Sequence, residues 1–321
     1  MVDKNNQSLQ SWNYESTVQT AVITANNSVS YEYGKYDSKE SKWDVPSIEN
    51  AVDQFYATNK TPIIAVPSRN FPTFKIPYQT TNCSGFHRFL GTSALNTGVG
   101  TLTVKQTGLK KSFNHRWQHS GGTNPQVINS LGCYTVGIGG VIQSGKPFQL
   151  EEEIAWGKIE DQSTLTALTT APIHPDSDFN LFNGQPTVTL GATSLSEVFM
   201  VDFSAKQNYT TSKSADGLTQ SIFLGNISEI SCVLHAVFEQ NQQWIDMIAK
   251  TKQSLVVRVK RNDDPTKYID LTFGNALILK SAKSGQAFGN YYEELITFKA
   301  ESLQIDFSYA HDANAFAVLY P

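Results

Sequence analysis

Residues 226–238 read NISEISCVLHAVF, and this stretch decides the fold class. Its apolar side chains recur at every second position, which is the spacing of a strand buried on one face. The same spacing returns in three later segments. The sequence therefore predicts an all-β, antiparallel fold with these inward-facing sets: Ile230, Cys232, Leu234, Ala236 and Phe238; Leu255, Val257 and Val259; Ile269, Leu271 and Phe273; Leu303, Ile305, Phe307 and Tyr309.

Two segments instead have helical spacing. Trp244, Met247 and Ile248 lie three and four positions apart, so they share one face of a helix over residues 242–250. Residues 48–56 repeat that spacing after a proline suited to a first helical turn. We expect one flanking helix in each half of the chain.

The chain is long enough for two sandwich modules, since domains commonly contain about 100–200 residues. A stretch rich in Thr, Pro, Asp and Asn at 161–185 interrupts the apolar periodicity and indicates a linker. We predict a first module with an N-terminal arm over residues 1–165 and a second with a C-terminal tail over 166–321. A tandem duplication is a hypothesis, because the halves share no repeat in residue identity.

The first module contains a proline-rich segment and two predicted strand regions. Prolines at 62, 67, 72 and 77 are unsuited to central strands and predict a surface loop. Alternation indicates strands within 98–107 and 132–158. In the second region, Glu152 projects to the same side as Leu150 and Ile154, opposite Glu151 and Glu153.

Composition excludes several classes of protein. The net charge of −4 argues against a dedicated nucleic-acid binder, which needs a basic surface. No apolar run approaches the ~20 residues that cross a bilayer, and the polar first ten residues lack the apolar centre of a signal peptide. We expect assembly in the cytoplasm without membrane contact.

Candidate chemical sites are weak. Cys83, Cys133 and Cys232 are too scattered for a disulfide framework and are interpreted as structural. His115 and His119 have a spacing that suits metal ligation, but no third ligand accompanies them. We predict no metal site and no cofactor.

Two further patterns resemble catalytic motifs without their context. Gly137, Gly139, Gly140 and Gly145 lack the strand, turn and helix of a phosphate loop, and are interpreted as turns and bulges. Ser112 and His115 lack a nucleophile elbow. The chain is therefore predicted not to be an enzyme.

Three segments form a recognisable order of elements. The first is a glycine-cysteine strand at 131–136, followed by a glycine-proline turn at 144–148 and a strand at 149–157. The second is a strand region at 188–208, marked by Gly191, Thr193, Leu195, Val198, Phe203 and Asn208, and the third is the strand-helix-strand unit that begins at residue 226. Together these segments resemble the tail tube proteins of long-tailed bacteriophages and related archaeal viruses.

This resemblance implies a structural protein of the virion tail, assembled in the host cytoplasm. Its copies would form trimeric or hexameric rings that stack into a tube, lined by a β-barrel from neighbouring subunits. The implied partners are further copies, a tape measure protein and tail terminator or tip proteins. Viral DNA would pass through the channel without specific binding.

Three groups of residues are candidate sites in such a tube. Glu151 and Glu153 are lumen candidates, since an acidic wall repels passing phosphates. The polar segment 208–220 resembles the long hairpin that contacts the next ring. An apolar C-terminal tail is expected to dock on a module or on a neighbour. The candidates in the last two groups are Tyr209, Thr211, Lys213 and Asp216 in the loop, and Phe316, Leu319 and Tyr320 in the tail.

Other function classes stay open. A receptor-binding or carbohydrate-binding β-sandwich would use an aromatic platform, for which Trp117, Trp156, Tyr291 and Tyr292 are candidates. A sandwich enzyme would need a paired acid and base, which the sequence does not show. A virion shell protein or a minor tail protein would have the same all-β composition.

Overall fold

The computed structural model describes residues 8–15, 18, 49–51, 54–56, 62–64, 68–80, 83–96, 101–106, 110–119, 126–160, 182–195, 197–215, 217–237, 249–288 and 291–308. The described chain is almost entirely antiparallel β-structure, which confirms the predicted all-β class. Within the described residues one helix is complete, α1, over Ser84–Leu90.

Eleven described strands lie in the first half of the chain up to residue 155, and nine follow. The first group is β1 (Ser8–Tyr14), β2 (Glu49–Ala51), β3 (Gln54–Tyr56), β4 (Pro62–Ile64), β5 (Ser68–Asn70), β6 (Phe74–Gln79), β7 (Gly91–Asn96), β8 (Thr101–Gln106), β9 (Phe113–His119), β10 (Gln126–Gln143) and β11 (Gln149–Ala155). The second is β12 (Lys158–Ile159), β13 (Thr187–Leu190), β14 (Thr193–Leu195), β15 (Val198–Lys213), β16 (Gln220–Val237), β17 (Lys252–Lys260), β18 (Tyr268–Phe288), β19 (Tyr291–Lys299) and β20 (Ser302–Phe307).

Strand pairing arranges most of these strands in two layers. One layer runs β6-β11-β10-β15-β16-β19-β18, and the other runs β14-β13-β17-β18-β20-β8-β7. Strand β18 belongs to both, because its first part pairs with β17 and β20 and its second part with β19. The change of partner occurs at Gly274 and Asn275, where Asn275 has a φ of 51° and a Cβ on Gly274 would lie 2.3 Å from Ser302 Oγ.

Strand β10 bends in a similar way. Its first part pairs with β9, and its second part lies between β11 and β15. Register shifts occur between Ser130 and Cys133 and between Thr135 and Gly137. Gly132 lies within the first of these shifts and has a φ of 63°, a conformation that glycine adopts without strain. The bend carries β9 and β1 away from the main layer as a small side sheet.

Aromatic side chains join the two layers. Phe203 of the first layer lies 6.2 Å from Phe273 of the second, measured between ring centroids, and 6.1 Å from Phe86 of α1. Phe148 contacts both Phe86 and Phe203. The buried apolar residues of both layers belong to one continuous cluster.

The predicted inward faces in the second half are confirmed where they are described. Ile230, Cys232, Leu234 and Ala236 are buried, as are the predicted residues of β17, β18 and β20. Phe238, Tyr309 and the predicted helix at 242–250, apart from Ala249 and Lys250, lie outside the described residues.

Two predictions for the first half are wrong. Residues 49–51 and 54–56 are strands β2 and β3, not a helix, because pairing with β5 and β4 outweighed the local apolar spacing. The proline-rich segment is not a continuous loop, since β4, β5 and β6 lie within it. Pro77 is accommodated in β6 because β6 pairs with β11 and with no second strand in the described chain.

Hydrogen bonds between strands cross the predicted module boundary at residue 165. Strand β10 pairs with β15, and β8 pairs with β20. The residues around the boundary itself, 161–181, lie outside the described part. The two-module division stays a prediction, and any two modules share a sheet.

A buried ion pair holds α1 against the first layer. Arg88 of α1 donates two hydrogen bonds to Glu152 of β11, and both side chains are fully buried. Thr135 Oγ1 of β10 also donates to Glu152, at 2.9 Å, and the Arg88 guanidinium lies 4.3 Å from the ring centroid of Trp12 in β1. The predicted inward direction of Glu152 is confirmed, and four elements meet at this pair.

We expect Glu152→Gln to lower the free energy of unfolding by about 3–5 kcal/mol, because it leaves the Arg88 charge buried without its counterion. Urea denaturation measures this change. Glu151→Gln is the matched control, since Glu151 is exposed and should contribute less than ~1 kcal/mol. Equal losses for the two variants would contradict a structural role for the buried pair.

Candidate assembly surface

The β15–β16 hairpin extends beyond the sheet. Strand β15 pairs with β10 only over residues 200–206, and β16 pairs with β19 only over residues 231–237. Over residues 207–227 the two strands pair only with each other in the described chain. We call this two-stranded segment the ribbon.

A tight turn closes the ribbon. The Ser214 amide donates to Thr219 O at 2.9 Å, and the Gly217 amide donates to Ser214 O at 3.0 Å. Gly217 has a φ of 65°, and an added Cβ would meet no atom within 4 Å, so glycine is needed there for its backbone conformation alone. Most of the segment 208–220 is therefore strand, and the loop itself spans only residues 214–219.

The closed end of the ribbon is fastened to the body of the protein. The buried Gln220 donates two hydrogen bonds to the body. Its backbone N–H donates to Gly157 O at 2.8 Å, and its side-chain Nε2 donates to Trp156 O at 2.6 Å. Lys213 Nζ donates to Asn70 Oδ1 at 3.1 Å. These bonds fix one face of the ribbon against β5 and the end of β11.

Cross-strand pairing shows which residues share that inward face. Tyr209 pairs with Leu224, and Thr211 pairs with Ile222. Burial, and secondarily the nearby Glu153 carboxylate, raise the pKa of Tyr209. Three of the predicted contact residues, Tyr209, Thr211 and Lys213, thus lie on the face fastened to the body, and Asp216 lies outside the described residues.

The outward face carries an unexpected apolar group. Phe223, paired with Thr210, has 58% of its surface exposed, and Leu218 in the turn has 47%. Of the five large apolar residues that are exposed in the described chain, three are in the ribbon; the third is Tyr209, on the opposite face, with 37% of its surface exposed. The sequence signal for Phe223 was the unbroken apolar run Ile222, Phe223, Leu224, which a strand with one buried face does not need.

The lumen candidates lie on the outer face of the first layer. Glu151 is exposed and pairs with Lys75 Nζ at 2.7 Å. Glu153 is half-buried and accepts a hydrogen bond from Thr73 Oγ1 at 2.8 Å. Whether this face lines a channel stays a prediction.

Register extends this outer face across five strands. One row contains Lys75, Glu153, Gly137, Lys206 and Glu229, and the row beside it contains Pro77, Glu151, Gly139, Ser204 and Ser231. The face therefore carries both signs of charge, with Lys75 and Lys206 beside the glutamates. The sequence alone predicts an acidic face. The middle of this face carries no side chains on β10, because both of its β10 positions, Gly137 and Gly139, are glycine.

The predicted role of the glycines in turns and bulges holds only in part. Gly145 is in a turn with a φ of 75°, and Gly137 follows a register shift. Gly139 and Gly140 lie instead in regular strand pairing. A Cβ on Gly140 would lie 2.6 Å from Gln149 O and 2.8 Å from the Phe203 ring, so close packing requires glycine there.

The side chains that resembled catalytic or metal-binding groups are buried. Burial, and then the charge of Arg88, lower the pKa of His115 to about 3, so its imidazole is neutral. Ser112 Oγ donates to Glu15 Oε2 at 2.6 Å, and Glu15 also accepts from the Gly132 amide. Within the described residues no three His, Cys, Asp or Glu side chains form a group that could hold a metal ion.

The remaining candidates have different outcomes. All three cysteines are buried free thiols, which agrees with their structural interpretation. Trp156 is fully buried and donates to Pro72 O at 2.8 Å, so it is unavailable to an aromatic surface platform. The tail residues Phe316, Leu319 and Tyr320, and the side chains of His119, Tyr291 and Tyr292, lie outside what the structure describes.

Among the described helical residues, none belongs to a helix with the length and apolar character needed to cross a bilayer.

Comparison with solved structures gives a distant similarity. No protein-family model and no curated protein matches the chain. Among solved structures, the chain is similar to the tube-terminating cap of the anti-feeding prophage, solved by cryo-EM, with 18% identity and a TM-score of 0.30. The match covers 44% of this chain and 97% of that chain. This TM-score is too low to show a shared fold, so the functional argument rests on the residues of the chain itself.

Proposed function

We propose that the protein is a structural protein of a viral tail, and more specifically the major subunit of a tail tube. Its copies form rings that stack around a channel for DNA. The observation that carries this proposal is the ribbon, which is fastened to the body on one face and presents Phe223 to solvent on the other.

A rigid apolar projection favours a contact with another copy. A two-stranded hairpin alone is marginally stable in water, and the hydrogen bonds of Gln220 hold this one in place. Covering Phe223 and Leu218 with a second copy removes apolar surface from water, which contributes about 25 cal/mol per Å². In this proposal the ribbon contacts a different part of the second copy, so the contact is heterologous and repeats into rings or tubes.

Sheet edges offer a second means of association. In the described chain, β1, β6, β7 and β14 each pair with a strand on one side only. An unpaired edge is a template for another strand, and a protein that forms closed rings removes this hazard by pairing its edges between subunits. The resemblance to tail tube proteins implies such a shared barrel.

The chemistry of the described residues supports a structural role and not catalysis. His115 is neutral and buried, and the Ser112 hydroxyl is engaged with the buried Glu15. Neither group reaches solvent as a nucleophile or a base would. We propose that the protein is not an enzyme and needs no cofactor.

The outer face of the first layer suits a wall that DNA passes without binding. Lysine and glutamate alternate across the strands, so phosphates meet no continuous basic surface. In this proposal the protein lies in the virion tail after assembly in the host cytoplasm. Its partners are further copies in trimeric or hexameric rings, a tape measure protein, and terminator or tip proteins.

A receptor-binding or carbohydrate-binding virion sandwich is the alternative. It would need exposed aromatic rings, and the burial of Trp156 removes one of the four candidates. The exposed Phe223 has no polar tip with which to orient a sugar. The tube proposal is therefore favoured.

We expect the purified protein to form rings or tubes with an open channel, visible by negative-stain electron microscopy. Phe223→Ser combined with Leu218→Ser should leave a folded monomer, because both side chains are exposed, and should abolish assembly. Sedimentation velocity measures the loss of the assembled species.

Leu279→Ser is the matched control for this experiment. Leu279 has the same 47% exposure as Leu218 but lies on β18, outside the ribbon. The Leu279→Ser variant should assemble into rings or tubes as the unchanged protein does. Normal tubes from the ribbon variant would rule out the ribbon as the stacking contact, and a wild-type protein that stays monomeric would contradict the tube proposal itself.

We expect Glu151→Lys with Glu153→Lys to preserve tube formation, since both side chains lie on the outer face, where the exposed Glu151 contributes less than ~1 kcal/mol and the half-buried Glu153 keeps part of its surface in water. Virions carrying the pair should eject DNA more slowly, with the delay relieved by salt, because added cations attract phosphates. Ejection kinetics at several salt concentrations test this expectation. Glu301→Lys, in the turn before β20, is the control. Unchanged ejection in the double variant would place this face outside the channel.

A further inference from the structure

A polar pocket lies where the ribbon leaves the sheet. Its volume is about 540 Å³, and it opens between β8, the ribbon and β20. The polar side chains in its lining include Lys105, Gln106, Lys110, Gln207, Asn226 and Gln304. The lining residues include two lysines and no carboxylate.

Lys110 is the unusual member of this lining. Its ammonium group donates to Gln207 Oε1 and lies 4.6 Å from the ring centroid of the buried Phe89. Gln207 is held in this orientation because its Nε2 donates to Gly225 O at 2.6 Å. Both partners of the ammonium are neutral, so the partly buried charge has no counterion among the described residues.

The acidic groups on the surrounding elements are engaged elsewhere. On β20, Asp306 accepts from Thr103 and from Gln304, and Glu301, which precedes it, pairs with Lys252. On β16, Glu229 lies 3.7 Å from Lys299. Helix α1, which supplies Phe89, directs Arg88 to Glu152 and His87 to Tyr14.

We propose that this pocket is a binding site for an anionic oxygen group, a carboxylate or a phosphate, held by Lys110 and Lys105. A buried ammonium is stabilised by a counterion, and the described chain offers Lys110 only the neutral Gln207 amide and the Phe89 ring. The pocket is large enough for a small molecule and open to solvent. The amides of Gln106 and Asn226 add polar groups at its wall.

Ionisation of Lys110 should be linked to binding. Burial lowers the pKa of Lys110 from 10.5 to about 7, so at neutral pH the amine is only partly charged in the unliganded protein. An anion favours the charged form and raises that pKa, so binding takes up a proton above pH 7. Affinity should fall as pH rises from 7 towards 9.

Inorganic phosphate and glutarate are the two probes. Titrating each into protein labelled with ¹³C at lysine, followed by NMR, reports the pKa of Lys110 with and without ligand. We expect saturation with either probe to raise the pKa of Lys110 by one unit or more. This shift means that the probe binds the charged form of Lys110 at least tenfold more tightly than the neutral form. Binding of phosphate alone would identify a phosphate site, and binding of glutarate alone would identify a carboxylate site.

Three variants test the assignment by calorimetry. Lys110→Met should weaken binding at least tenfold, whereas Lys146→Met, at an exposed turn, should bind as the unchanged protein does. Gln207→Glu places a carboxylate beside Lys110, so it should raise the pKa of Lys110 and abolish anion binding. Absence of binding by both probes at millimolar concentration, or equal binding by Lys110→Met, would overturn the proposal.

Stability against pH gives an independent check. The pKa of Lys110 is lower in the folded chain than in the unfolded one, so the folded chain binds fewer protons between pH 7 and 10.5. Burying the charged amine lowers the free energy of unfolding by its full amount below pH 7, where Lys110 is protonated in both states. This destabilisation decreases as pH rises and is gone above pH 10.5. Lys110→Met should therefore stabilise the protein most below pH 7 and least near pH 10, as measured by urea denaturation without added anion. A pH-independent difference would show that Lys110 titrates normally and would contradict the unpaired charge.

Discussion

The buried pair of Arg88 and Glu152 is the constraint on which the first layer depends. A carboxylate fully removed from water is stable only with its charged and hydrogen-bonding partners in place. Glu152 finds them on α1 and on β10, and the ring of Trp12 covers the guanidinium from β1. Four segments distant in sequence must therefore reach the same arrangement together. The pair specifies how the only helix with described bounds sits against the sheet.

Two long strands, β10 and β18, connect that region to the rest. Each changes partners partway along its length, β10 near Gly132 and β18 near Gly274. In this way a single hydrogen-bonded network serves two layers and a side sheet, and the two layers enclose one apolar cluster. The halves of the chain are consequently interdependent, whatever their evolutionary origin.

The sequence predicted what strand periodicity can encode and missed what depends on contacts distant in sequence. The buried faces of β16, β17, β18 and β20 follow from alternation, and so does the inward direction of Glu152. Its partner Arg88 lies 64 positions away, and α1 shows no amphipathic pattern because all seven of its residues are buried. Residues 49–56 had helical spacing, yet pairing made them strands. In the predicted contact loop, alternation could not show that Tyr209 shares a face with Lys213 and Gln220, which bond to the body, and that Phe223 lies on the opposite face.

The continuity of β15 and β16 has a mechanical consequence. Each strand continues from the core of the first layer into the ribbon, over 16 and 18 residues, although their mutual register shifts between Lys206 and Tyr209. A load applied along the ribbon is therefore carried in shear, distributed over the hydrogen bonds to β10 and β19 at once, and does not peel them one by one. Strain along the hairpin is therefore passed to the apolar cluster, to which Ala205 of β15 and Ile230 of β16 belong.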